Sequence, residues 1–213
     1  MTLTKRSSKG SALSYDEMDG NFTHLGGTGT FHNAGVRIGP PGTVLEMITG
    51  HADGRTLVGH SGSYTLQNVT AAQQLDNTHT SIGLDIDYIP PTGTKTVLYE
   101  SQFQIRFKDT DPILHFKATW DGNDLEPSRS TFRVSAAGNH QMICNLSVAI
   151  EVNASSVDIP KARIGAWTSS KTLSWTGREY GSSNEGSLHT TNNWDGAGTD
   201  IFICPMLKVT AIA

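Results

Sequence analysis

TVLYESQFQIRFK, residues 96–108, alternates as a strand does: Val97, Tyr99, Phe103, Ile105 and Phe107 fall in one phase. Successive side chains of a strand point to opposite faces, so a period of two over so long a run writes one buried face of a sheet. Pro90-Pro91-Thr92-Gly93 turns the chain into this run. Asp109-Thr110-Asp111-Pro112 turns it out again into residues 113–120, which Asp121-Gly122-Asn123-Asp124 closes. Upstream, Val44-Leu45-Glu46-Met47-Ile48 precedes a hairpin-like Ala52-Asp53-Gly54-Arg55. Residues 63–70 alternate Tyr64, Leu66 and, less regularly, Val69. Residues 81–88 set Ile82, Leu84, Ile86 and Tyr88 on one face and Asp85 and Asp87 on the other. Downstream, strands are expected over 131–135, 140–152, 162–167, 172–178 and 185–194. The last run, 200–213, is apolar almost throughout. Burial on both sides is expected for it, with Pro205 marking a bulge or an edge. About ten short strands at spacings near 8–12 residues predict an all-β fold, a two-sheet β-sandwich. A jelly roll suits this strand count and makes 43–213 one head domain.

The composition agrees. Of 213 residues, 36% are hydrophobic and 17% charged, with 22 glycines against 8 prolines, and Ser, Thr and Asn are abundant. A net charge of -4 offers no strong attraction to nucleic acid or to an anionic membrane. No apolar run approaches the ~20 residues that span a bilayer, so no membrane insertion is expected. MTLTKRSSKG lacks the apolar core of a signal peptide, which predicts synthesis and assembly in a cytoplasm. There the sequons at Asn21, Asn68, Asn145 and Asn153 carry no glycan. Cys144 and Cys204 lie in apolar runs and are expected as free, buried thiols.

The first 25 residues read differently. Ser14 and Glu17 form a capping box, Leu13 and Met18 a hydrophobic staple, and Asp16 with Glu17 puts negative charge in the first turn. Tyr15, Met18, Phe22 and Leu25 then share one face of a helix over 14–25, which Gly26-Gly27 stops. A helix this short is marginal alone, since isolated helices below about 12–15 residues barely form in water. It needs a partner. A polar, basic lead-in (Lys5, Arg6, Lys9) precedes it and a Gly/Pro-rich linker over 26–42 follows, which suits a tethered segment docking elsewhere.

This stretch, about residues 2 to 25, resembles the N-terminal attachment segment of virion-associated proteins of tailed bacteriophages, notably tail-fibre and related appendage proteins of cyanophages. In pattern and local phrase the remainder resembles the jelly-roll head domains of phage fibre and virion proteins, through PPGTVLEMITG, SGSYTLQNV, YIPPTGTKTVLYESQFQ and ILHFKATWDG. The resemblance implies a homotrimer of the tumour-necrosis-factor-like kind. It also implies a place on the virion, docking on tail, neck or capsid proteins through Leu13, Tyr15, Met18, Phe22 and Leu25.

The carboxylates invite another reading. Asp85/Asp87, Asp109/Asp111 and Asp121/Asp124 have the residue types of acid–base pairs that cleave a glycan. Turns want aspartate for their own reasons, and a strand's solvent face accounts for Asp85 and Asp87. The eight histidines show no metal-ligand spacing. No phosphate loop, dinucleotide motif or nucleophile elbow is present, so no cofactor is expected. Trp120 and Trp194 each precede an Asp-Gly turn. With Asp121, Asp124 and Asp195 they are candidates for loops that contact a host surface glycan or a partner, or else they cap the core. In the last strand, Phe202, Cys204 and Met206 lie opposite Ile201, Ile203, Pro205, Leu207 and Val209. They are the candidates for a trimer interface that would hide a second apolar face. The expectation is a non-enzymatic virion structural protein, a tail or neck fibre serving host attachment. The alternatives are a capsid decoration protein and, from another class, a glycan-degrading enzyme of the virion.

Phe22→Asp tests the anchor. The head is expected to stay folded and soluble while incorporation into particles is lost, because an unpaired carboxylate at such a contact costs several kcal/mol. An unfolded head would instead assign the helix to the protein's own core.

Overall fold

A long strand with one apolar face must find neighbours for its backbone and a second layer for that face. In the computed structural model, which describes residues 41–108, 112–134, 140–181, 186–192 and 200–213, it finds both. The helix expected over 14–25, with Leu13, Tyr15, Met18, Phe22 and Leu25, lies outside the described residues. So do most of the linker, Asp109, Asp111, Trp194 and Asp195.

In chain order the strands are β1 (Val44–His51), β2 (Thr56–Val58), β3 (Ser63–Thr65), β4 (Gln73–Gln74), β5 (Thr80–Ser81), β6 (Ile86–Tyr88), β7 (Thr96–Phe107) and β8 (Ile113–Trp120). They continue with β9 (Asn123–Arg133), β10 (His140–Glu151), β11 (Lys171–Glu179), β12 (Gly186–Leu188), β13 (Thr190–Asn192), β14 (Asp200–Phe202) and β15 (Met206–Ile212). No α-helix occurs among the described residues, and the fold is all-β.

Strand β7 is the hub of the larger sheet. Strand β10 pairs with it along its full length, from Thr96↔Glu151 to Phe107↔His140. On the other flank β15 covers Thr96 to Gln102 and β12 covers Ile105 to Phe107. Strand β1 lies outside β15, and β4 outside β12. The smaller sheet runs β9-β8-β11, with β6 and β5 both on the free flank of β11. Two short ribbons, β2-β3 and β13-β14, complete the fold.

The two larger sheets pack face to face as a β-sandwich. Tyr99 of β7 stacks on Trp175 of β11 with ring centroids 5.5 Å apart, and Phe103 meets Phe116 of β8 at 5.3 Å. Val97, Tyr99, Ile105, Phe107, Leu114, Leu125, Trp175 and Val209 are wholly buried around these contacts. Gly177 of β11 is required there, since a Cβ would stand 2.8 Å from the Phe116 ring.

At one end the interior is polar. Glu46 is 5% exposed, and a register shift between Val44 and Glu46 accompanies its inward placement. Tyr88 Oη donates to its Oε1 at 2.9 Å, Ser61 N to Oε2 at 2.7 Å and Ser61 Oγ to Oε1 at 2.6 Å. Burial and then the Glu46 charge raise the Tyr88 phenol well above its ordinary range. Gly59 passes so close that a Cβ would lie 2.4 Å from the carboxylate, so this loop admits only glycine.

Several expected strands differ from those observed. Strand β9 begins at Asn123 rather than 131, because Asn123 pairs back onto Trp120 directly after the turn at Asp121-Gly122. Residues 162–167 form no strand: Ala162 is left-handed, with φ 58°, at the end of a 3-10 turn over Ile159–Lys161. Trp167 nonetheless enters the core, donating Nε1–H to the Tyr88 carbonyl at 3.2 Å. The run 185–194 breaks at His189 (φ 61°) into β12 and β13, and 200–213 breaks before Met206 into β14 and β15. Strand β15 buries Leu207, Val209 and Ala211 on its inner side, and its outer side mixes Met206 and Ile212 with Lys208 and Thr210. On its outer side Lys208 pairs with Glu100 at 2.8 Å. Both cysteines are free, Cys144 buried and Cys204 half-buried, and burial pushes the Cys144 thiol up to about 12.

His189 makes acid stability testable. Fully buried, it offers Nε2 at 2.9 Å to the Ile82 carbonyl, which can only accept, so Nε2 carries the proton. Burial lowers its pKa from 6.5 to about 4. Between those values the unfolded chain binds the extra proton and the fold does not. The contribution is therefore whole above pH 6.5 and lost as pH falls towards 4, on the order of 3 kcal/mol. In His189→Asn, whose side chain tolerates the left-handed backbone, urea unfolding across pH 7 to 4 is expected to lose that share of its slope.

Candidate functional site

The β8–β9 turn carries the sequence candidates Trp120, Asp121 and Asp124, and alternation separates their roles. Asp121 and Gly122 both have positive φ, 50° and 79°, as a tight hairpin turn needs. Asp121 pairs with Lys171 at 2.6 Å, and the Lys171 ammonium lies 5.7 Å from the Trp120 ring centroid. Trp120 is half-buried and meets Trp167 edge-on at 5.7 Å, so it caps this end of the sandwich while one edge stays exposed. Asp124 turns to the outer face of the smaller sheet and grips Lys117 through both oxygens, at 2.6 and 2.7 Å.

The candidate carboxylates of residues 81–88 are engaged as well. Asp85 accepts from Gln67 at 2.9 Å, from Ser81 at 2.8 Å and from Ser174, while Asp87 accepts from Thr172. These bonds fasten the segment before β6 to β11. Among the described residues no group of three or more His, Cys, Asp or Glu side chains could hold a metal ion. No described helix is long and apolar enough to cross a membrane.

The interface candidates are spread over one edge. Phe202 ends β14, half of a ribbon with β13, and is 36% exposed beside Ile203 at 37%. Cys204 lies in the connection, and Met206 opens β15 between His51 of β1 and Gln102 of β7. Met206 thereby joins the outer face of the larger sheet. Met47 (52% exposed) and Ile143 (61%) emerge on that face too, and Lys208–Glu100 is its ion pair.

The sequence reasoning missed a cluster of cations on the outer face of the smaller sheet. His115 and Lys117 project from β8, Arg178 from β11 directly opposite His115, Arg129 from β9 and His79 from the segment before β5. They line a depression of about 310 Å³. It opens because β9 bulges: Phe116 pairs with Ser130 and Ala118 with Leu125, leaving residues 126–129 opposite Lys117 alone. Ser128 repairs the ladder by accepting the Ala118 amide at 2.7 Å. Burial, then the charges of Lys117 and Arg178, lower the His79 imidazole to about 4. Burial and then Arg178 lower His115, whose Nδ1 lies 3.0 Å from the Thr131 hydroxyl. These residues are distant in sequence. The signal for them was the outward phase of KTLSWTGRE, Thr172, Ser174, Thr176 and Arg178, which ends in a cation.

No protein-family model matches the chain, and no curated protein sequence does.

Asp85 provides the test of its structural role. Asp85→Ala leaves the Ser174 and Ser81 hydroxyls and the Gln67 amide without their acceptor. It is expected to lower unfolding free energy by about 1–3 kcal/mol in urea titration. A neutral substitution would free this carboxylate for another task.

Proposed function

We propose that the protein is a non-enzymatic structural protein of a tailed-phage virion, a trimeric tail or neck fibre with a jelly-roll head and an N-terminal anchor. The observation that carries the head assignment is the nesting of its antiparallel pairs. Strand β1 pairs with β15, β6 with β11, β7 with β10 and β8 with β9. Pairs nested in this way, in sheets that contain the paths β1-β15-β7-β10 and β6-β11-β8-β9, support the reading of one long hairpin rolled over into a jelly roll. The engagement of Asp85, Asp87, Asp121 and Asp124 by neighbouring strands supports a structural role over a hydrolytic one. The attachment role rests on the resemblance of residues 2–25 and on that helix's need for a partner.

Self-association is supported by the outer face of the larger sheet. Met47, Leu98, Ile143 and Met206 emerge there among glutamines and small polar side chains, and the charges on this face, Lys208 with Glu100, Arg106 with Asp200 and Glu151 with Arg163, are paired. The Phe202–Met206 edge continues it. A face poor in net charge loses little on desolvation. The full chain is expected to sediment as a trimer at micromolar concentration. Met206→Glu is expected to shift it to monomer with unchanged thermal unfolding, and a wild-type chain that stays monomeric would remove the trimer. Labelling of intact particles separates fibre from decoration protein, since signal over the capsid shell in hundreds of copies belongs to the latter.

A further inference from the structure

The cation cluster on the smaller sheet has no structural task that accounts for it. Lys117 is balanced by Asp124, and Arg129 stands 3.5 Å from Glu126. Arg178 has no ion pair among the described residues, and its Nε is shielded from solvent without an acceptor. Nε2 of His115 is shielded and unpartnered in the same way. A sheet that needed only solubility would expose these groups to water or face them with carboxylates, as Lys171 faces Asp121. The chain as a whole carries -4, so a surplus of positive charge in one recess is local.

We infer that this recess seats an oxyanion, a sulfate or phosphate ester, carried on a sugar. Arg178 supplies the unbalanced charge, and Lys117 on the adjacent strand, already held by the Asp124 carboxylate that also lines the recess, adds a second cation, with His79 and His115 as neutral rings beside them. Ester oxygens would give the Arg178 guanidinium, which has no ion pair among the described residues, a charged acceptor. Two features favour a sugar over a bare ion. Tyr180 is 69% exposed with its ring centroid 6.3 Å from that of His115, a platform of the kind on which a sugar ring packs. The hydroxyl-bearing Ser130 and Thr131 line the rim, and about 310 Å³ is at the small end of ligand sites, roughly 300–1,000 Å³. The source of such an ester, a host surface glycan, rests on the fibre reading, whereas the binding itself does not.

The test follows the histidine ring signals of the full chain by NMR at low salt, with glucose 6-phosphate, glucose 6-sulfate, glucose and inorganic phosphate as probes. Both esters are expected to shift the His79 and His115 signals saturably and to raise the pKa of His79, while glucose leaves them unmoved. Arg178→Gln, which breaks no ion pair, is expected to weaken the response about tenfold, about 1.4 kcal/mol. Lys117→Gln is expected to weaken it too, and Lys161→Gln, remote on the 3-10 turn, to leave it intact. Equal shifts with glucose, or ester binding unchanged in both Arg178→Gln and Lys117→Gln, would overturn the site. A response to inorganic phosphate with none to the esters would overturn the sugar and leave a free-ion seat. Oligomeric state and particle incorporation are read separately, so failure here leaves the fibre reading standing.

Discussion

The stack of Tyr99 on Trp175 is the contact on which the sandwich depends. Tyr99 sits on the strand that β10, β15 and β12 all pair with, and Trp175 sits on the strand that β8, β6 and β5 all pair with. One aromatic pair thus joins the hubs of both sheets, at 5.5 Å with both rings fully buried. Large aromatic contacts of this kind add to area burial, by about 0.5–1.5 kcal/mol. The consequences run outward. Gly177, on the same inner face as Trp175, is compelled because the ring of its cross-strand partner Phe116 lies over it, and the Tyr99 hydroxyl reaches the Leu84 carbonyl at 2.5 Å to anchor the segment leading into β6.

What could be read in the sequence was whatever obeyed a period of two against a single core. β7, β8, β10 and β11 did so, because each has one face inside and one outside over many residues. β9 began where no pattern announced it: Asn123 and Asp124 resemble a turn, and Pro127 lies within a bulge that alternation cannot express. Residues 162–167 looked like a strand because Ile164 and Trp167 are apolar, yet they are buried from a loop whose backbone bonds go to Glu151, Asn153 and Ala154. Apolar content reported burial there and nothing about geometry. In 200–213 the sequence suggested two apolar faces, but a break before Met206 puts Phe202 in the β13–β14 ribbon, and Lys208 occupies the outer side of β15.

Sites were less legible than strands. Trp120 and Asp121 were found because an aromatic before Asp-Gly is a local signal, and the structure brings Lys171 and Trp167 to them from far along the chain. The cation cluster had no such signal. Its members come from a loop, two neighbouring strands and a bulge, and each alone is an ordinary polar residue on an outward phase. What distinguishes them is the absence of compensating carboxylate around Arg178 among the described residues, a property of the folded surface only.

The two outer faces of the sandwich therefore differ in kind. The larger sheet turns outward Met47, Leu98, Ile143 and Met206 with a balanced Lys208–Glu100 pair, a surface that loses little when water leaves it. The smaller sheet turns outward Lys117 and Arg178, whose charge is costly to bury and is most useful where it remains open to solvent, with the rings of His79 and His115 beside them. If copies associate through the first face, the second is directed away from the axis in every copy. A trimer would then carry three outward recesses at fixed separation, and three weak contacts on one rigid body bind a repetitive surface far more tightly than one. The nesting of pairs sets this division, because it assigns β7 and β15 to one layer and β8 and β11 to the other.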